Sequence, residues 1–312
     1  MDKSLYDRLA ARLGRVHLRQ RLGLESEYEA KVFHRGTHFF HLENWFLAHA
    51  VIRTGLGLVG LHGRGRRNAL KIRIVENEVR LGALPAVFDG YTILHLSDLH
   101  LDMNEDFVHA LIERVRAADY DLCVLTGDYR YRTRGPYQPA LDGLARLRPH
   151  LKGAVYAVLG NHDTIRMVPG MEDLGIRVLL NESVPLERDG AAIHLAGIDD
   201  AHYYRVDNLH KAAHDIPHDG VSILLSHTPE PYRNAAHADF KLMLSGHTHG
   251  GQICLPGGIP LITDADCPRA YARGPWRYHD LVGYTSVGAG SSIVDVRLNC
   301  LPEITLHRLR CA

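Results

Sequence analysis

From residue 91 onward, short apolar runs alternate with helical stretches, and polar residues crowd the loop after each run. Apolar runs fall at 92–96, 122–125, 155–159, 177–180, 193–196, 222–225 and 241–244. Phe107, Leu111 and Val115 recur at helical spacing between the first two, and 141–147 forms a second helical stretch before the third. Strand, loop and helix repeated in this way predict an α/β fold, because each parallel strand needs a crossover to bring the chain back. Segments rich in Asp, His and Asn follow most of the strands directly. Their residues therefore gather along the C-terminal edge of the sheet, where open α/β folds place ligand sites.

The N-terminal part reads differently. Leu5, Leu9, Leu13 and Val16 share one stripe of a helix, and Arg8, Arg12, Arg15 and Arg19 form a parallel one. This pattern predicts one basic amphipathic helix. A second helix is expected through 43–52, ended by Gly55, Gly57, Gly60, Gly63 and Gly65, followed by a half-exposed strand at 71–74 and turns at Leu84-Pro85 and Asp89-Gly90. The expected division is a basic, mainly helical extension with an edge strand over 1–88 and a catalytic domain over 89–312.

Charge follows the same division. The whole chain is formally neutral, yet residues 1–73 hold 14 Lys and Arg against 6 Asp and Glu, so the remainder is acidic by 8. Five cysteines are odd in number and lack a CxxC pair, which argues against a disulfide framework or thiolate zinc site and for a reducing, cytoplasmic setting. No apolar signal segment opens the sequence. The stretch at 45–61 falls short of the roughly 20 apolar residues a membrane span requires, and it contains Arg53.

Histidine is abundant, at 22 residues, and imidazole is a frequent ligand of borderline metals. Five segments concentrate the candidates: Ser97-Asp98-Leu99-His100, Gly127-Asp128, Gly160-Asn161-His162-Asp163, Ser226-His227-Thr228-Pro229 and Gly246-His247-Thr248-His249-Gly250-Gly251-Gln252. The series resembles the calcineurin-like metallophosphoesterase superfamily, motif by motif and in the same order. That resemblance implies a four-layer sandwich, two facing mixed β-sheets flanked by helices. It also implies two divalent metal ions: one held by Asp98, His100, Asp128 and His249, the other by Asp128, Asn161, His227 and His247. Asp128 would bridge them, and His162 would protonate the leaving group or steady charge on the phosphoryl group. The implied reaction is in-line attack on phosphorus by a metal-bridging hydroxide. A carboxylate can join cations about 3.5–4 Å apart, while imidazole and amide donors leave surplus positive charge that suits a phosphoester and acidifies water toward pH ~7. Mixed nitrogen and oxygen donors suit manganese, iron or zinc.

In the protein-phosphatase branch an Asp three residues after the bridging Asp orients the histidine; here that position is Tyr131. Arg130, Arg132 and Arg134 follow Asp128 and are candidate phosphate contacts. His49, His95, His194 and His202 lack motif partners and read as structural or surface residues. The S-H-T-P and G-H-T-H-G-G-Q forms are similar to a bacterial branch that includes hydrolases of the pyrophosphate of UDP-diacylglucosamine. The expected partners are therefore a phosphorylated small molecule or a lipid-linked substrate, with the Arg8–Arg19 stripe as a peripheral contact to the inner face of an anionic membrane. A nuclease is a rival reading, against which the acidic catalytic part argues. A noncatalytic scaffold is another, against which the intact ligand set argues.

Overall fold

The computed structural model describes residues 2–33 and 46–312, with the backbone alone for 31–33 and 46–49. It opens with four helices: α1 (Lys3–Leu13), α2 (Arg15–Phe33), α3 (Phe46–Leu58) and α4 (His62–Ala69). The stripe expected to form one helix is divided, because Gly14 sits at φ 83°, outside helical space, and starts α2 on a new axis. The second expected helix begins, over 43–45, outside the described residues, as does the side chain of His49. Its end is later than expected: α3 continues through Gly55 and Gly57, since about 1 kcal/mol per glycine weakens a helix without ending it.

The first sheet takes β1 (Arg73–Leu81), β2 (Thr92–Leu96), β3 (Leu122–Thr126), β4 (Val155–Val158), β5 (Arg177–Val178) and, from the far end of the chain, β14 (Glu303–Cys311). Its order is β1-β14-β2-β3-β4-β5, with β14 antiparallel to β2 and the other pairs parallel. The second sheet takes β6 (Glu182–Arg188), β7 (Ala191–Gly197), β8 (Ser222–Leu225), β9 (Leu242–Ser245), β12 (Gly274–Tyr278) and β13 (Leu281–Thr285) in the order β12-β13-β9-β8-β7-β6, with a parallel centre and antiparallel flanks. A small hairpin, β10 (Cys254–Leu255) with β11 (Ile259–Pro260), stands apart.

Apolar burial sets the layers. Ile93, Val124 and Val158 of the first sheet meet Leu195, Ile223 and Leu244 of the second in one buried core. The outer face of the first sheet is covered by α5 (Glu105–Arg116), α6 (Gln138–Leu147) and α7 (Val168–Asp173), joined by Leu9, Leu13 and Leu18 of α1 and α2. The outer face of the second carries α8 (Leu209–Ala213) and α9 (Tyr232–His237) through Ala212, Tyr232 and Ala235. Helix, sheet, sheet, helix is the expected four-layer sandwich. The central strands β2, β3, β8 and β9 are buried along their whole length, which is why they read as continuous apolar runs rather than alternations. No described helix is long and apolar enough to cross a membrane.

Candidate metal centre

Each candidate segment begins where one of these strands ends, and the sandwich brings the ends of the two sheets together. Asp98 and His100 follow β2, Asp128 follows β3, and Asn161 and His162 follow β4. His227 follows β8, and His247 and His249 follow β9. All eight side chains are nearly or wholly buried. Asp98, His100, Asp128, His247 and His249 have positive φ, between 41° and 72°, a region costly for residues with a Cβ. Five such residues in one cluster indicate loops shaped for the side chains they present. Gly160 and Gly246 permit the close passage, because a Cβ on the first would overlap the Asp128 carboxylate and on the second the Ser97 hydroxyl and Asp98 carboxylate.

Asp128 lies at the centre. Its Oδ2 is 3.3 Å from His227 Nε2, 3.8 Å from His162 Nε2 and 3.9 Å from His100 Nε2. On one side His100 Nε2 and His249 Nε2 stand 3.2 Å apart, with Asp98 Oδ1 3.6 Å from the latter. On the other, His227 Nε2 is 2.9 Å from Asn161 Oδ1 and 3.2 Å from His247 Nδ1. At such separations each pair of ring nitrogens can share either a proton or a cation. The donor atoms of Asp98, His100 and His249 all lie within 4.8 Å of one another, as do those of Asp128, His227 and His247, so each group could hold a metal ion.

Backbone carbonyls fix the ring orientations. His100 Nδ1 donates to the Arg130 carbonyl at 2.8 Å and His227 Nδ1 to the Thr126 carbonyl at 2.7 Å, which aims each Nε2 inward. His162 Nδ1 donates to the Tyr131 carbonyl at 2.6 Å. The residue that replaces the family's orienting Asp thus supplies the orientation through its main chain. Burial lowers the pKa of His100 to about 4 and holds His247 and His249 well below the ordinary imidazole range, so these rings are neutral and able to accept a cation. Burial acts the same way on His227, but the Asp128 carboxylate outweighs it and raises His227 to about 10.

Two residues outside the expected set hold the loops. The Asp163 carboxylate accepts the backbone N–H groups of Asp128, Tyr129, Arg130 and Gly160 at 2.8–3.3 Å, tying the loops after β3 and β4 together. It stood in the G-N-H-D segment, and its role follows from four converging amides that sequence cannot display. Arg297, fully buried, donates to the carbonyls of Gly288, Gly290 and His249 and reaches His249 Nδ1 at 3.1 Å. No motif marks it. His202, read as structural or surface, lies with its ring 4.2 Å from that of His247 and its Nδ1 2.8 Å from Glu230.

Three expectations change. Arg130 is buried and spends its guanidinium on the carbonyls of His162, Thr133 and Gly135 at 2.7–2.9 Å, so it braces the loop instead of meeting a phosphate. Arg132 and Arg134 lie on the same loop but do not line the cavity over the centre. Half of the Arg8–Arg19 stripe is spent on ion pairs: Arg8 pairs with Asp173 and Arg12 with Glu172 and Glu182, while Arg15 and Arg19 are exposed.

Buried imidazoles gathered round one carboxylate, where two facing sheets end together, make a candidate centre of the kind that a metal-dependent phosphoester hydrolase requires. Residues 91–251, about half of the chain, match the calcineurin-like phosphoesterase family, and the chain belongs to that family. It is 32% identical over 227 residues to the metallophosphoesterase YkoQ of Bacillus subtilis, across 70% of this chain and 83% of that protein. It is 30% identical over 253 residues to YkuE of the same organism, across 77% and 86%. It is 27% identical over 239 residues to the phosphodiesterase YaeI of Escherichia coli, across 70% and 82%.

Proposed function

We propose that residues 89–312, with 1–88 as an extension, hydrolyse a phosphate ester or pyrophosphate bond with the aid of two divalent cations. Asp98, His100, Asp128 and His249 would hold one ion and Asp128, Asn161, His227 and His247 the other. The carrying observation is the position of Asp128, within 3.9 Å of imidazoles from both groups. Manganese, iron or zinc fits a donor set of carboxylate, amide and neutral imidazole without thiolate. Bound cations supply Lewis acidity toward the phosphoryl oxygens and an acidified water.

The protein's own groups do the rest. His162, fixed through Nδ1 by the Tyr131 carbonyl, presents Nε2 to the cavity and passes a proton to the departing oxygen. Asp163 keeps the Asp128 loop from relaxing away. A lipid-linked phosphoester, such as the pyrophosphate of UDP-diacylglucosamine, is a second reading, at the inner face of the membrane; the apolar lining of the cavity supports it. A nuclease reading has no such support, because the described residues that line the cavity include no lysine, arginine, phenylalanine, tyrosine or tryptophan.

Asp128→Asn is the direct test. Loss of the shared charge should lower kcat on a soluble phosphodiester by roughly a thousandfold or more, a barrier change of about 4 kcal/mol, with metal content falling below two ions per chain. Full turnover in the variant, or wild-type protein without stoichiometric metal, would remove the proposal.

A further inference from the structure

The cavity above the centre, about 550 Å³ in volume, has two unlike ends. Asp128, Asn161, His162, His247 and His249 line one. Ile52 and Leu56 of α3, Leu261 and Ile262 beyond β11, and Ile293 and Val294 line the other. This volume is in the range that receives a ligand of a few hundred daltons. A phosphate group needs none of these apolar residues.

The outside of the same structure is equally one-sided. Among the described residues nine large hydrophobic side chains stand exposed, and eight of them lie in 51–61 or 255–262, the two segments that face each other across the cavity. Leu58 is 83% exposed, Val51 67% and Ile262 64%. A helix as apolar as α3 is ordinarily covered by protein, yet among its described side chains, 50–58, only Ile52 and Leu56 are partly covered, and both line the cavity. Exposed Arg53, Arg64 and Arg67 stand beside this apolar rim. Apolar residues edged by arginines match the surface of an anionic bilayer. On the α1–α2 stripe Arg8 and Arg12 are paired with carboxylates and Leu9 and Leu13 are buried, so it offers no comparable apolar edge.

We propose that the substrate is a lipid phosphoester taken from such a surface: α3 and the 255–262 segment rest on the bilayer, and an apolar chain of the substrate lies between Leu56 and Leu261–Ile262 while its phosphoryl group meets the centre. The inference rests on the phosphoesterase reading above and names its substrate class. Water adds across the P–O bond, its oxygen ending on phosphorus and the departing oxygen leaving protonated as an alcohol.

The experiment uses the full-length protein, reloaded with manganese, on p-nitrophenyl esters of methyl, hexyl and decyl phosphate below their micellar concentrations. In each, p-nitrophenol leaves and the alkyl chain stays on phosphorus. Wild-type kcat/KM should rise about three- to fourfold per methylene until the cavity is filled. In the double variant Leu261→Ser/Ile262→Ser, both positions being exposed, the rise along the series should be lost, the decyl ester being turned over no better than the methyl ester. Separately, the wild type should float with phosphatidylcholine–phosphatidylglycerol vesicles and Val51→Asp/Leu58→Asp should not. A flat wild-type series with an active methyl ester overturns this inference alone, as does wild-type protein that fails to float. Absence of turnover on every ester overturns the phosphoesterase reading and this inference with it.

Discussion

The two helical pieces at the start of the chain, α1–α2 and α3–α4, both carry several leucines and arginines, but they relate to the catalytic part in opposite ways. Leu9, Leu13 and Leu18 are buried in the core of the first sheet, and Arg21 of α2 is wholly enclosed. Its guanidinium lies 3.4 Å over the Tyr204 ring, 3.5 Å from Glu25 and 3.7 Å from Asp199, and donates to the Asp163 carbonyl at 2.9 Å. Glu25 in turn accepts from the Thr164 hydroxyl and the Ile165 N–H. So α2 supports, through buried charge, the loop that carries Asn161 and His162. By contrast the described part of α3, 50–58, has no buried side chain and leaves Val51 and Leu58 in water. Arginine and leucine counts cannot tell a brace from a rim; what separates them is whether the carboxylates that would pair lie opposite.

If that contrast is right, substitutions in the two regions separate cleanly. The largest effect is expected at Arg21→Met, which leaves Asp199 and Glu25 buried without their cation. That should cost about 3–5 kcal/mol and lower Tm by roughly 6–15 °C in a thermal melt; a melt unchanged from wild type would break the comparison. Next comes the centre that α2 supports. Metal binding must displace the proton that Asp128 holds on His227 up to about pH 10, so affinity measured by titration should weaken about tenfold per unit as pH falls. A pH-independent affinity would mean that His227 faces no ion.

A smaller effect concerns acid. Burial would raise the Asp199 carboxyl, but Arg21, the His17 contact and the Asp200 N–H together outweigh it and hold the folded pKa below the ordinary value of 3.8. A depressed folded pKa gives stability that is present above the unfolded value and lost as pH falls through the folded one. Urea midpoints should therefore decline below about pH 4, and less steeply in Arg21→Met. The smallest effect is expected on the rim. Leu58→Ser removes no buried contact, and its Tm should stay within about 1 °C of wild type, since exposed substitutions cost about 0.5 kcal/mol or less.

Sequence and structure agree best where one side chain does one thing. Strands β2, β3, β4, β8 and β9 were legible as buried apolar runs, and the ligand candidates because they interrupt those runs at their ends. The antiparallel flanks β6, β12 and β14 were not, as edge and bridging strands take mixed polarity from one covered face. Arg130 was read by its neighbours in sequence, and its carbonyl partners belong to a loop conformation that no spacing encodes. His202 and Arg297 were passed over for the same reason: each gains its place from a segment distant in the chain, Glu230 in one case and His249 in the other.

The candidate ligands divide between the two sheets: Asp98, His100, Asp128 and Asn161 come from the first, and His227, His247 and His249 from the second. Either ion, seated as proposed, would be gripped from both halves at once and would act as a rivet through the sandwich. Demetallation should then loosen the seam between the sheets before it disturbs either one. Amide exchange would quicken first at the mouths of β2 and β9, with their far ends still protected.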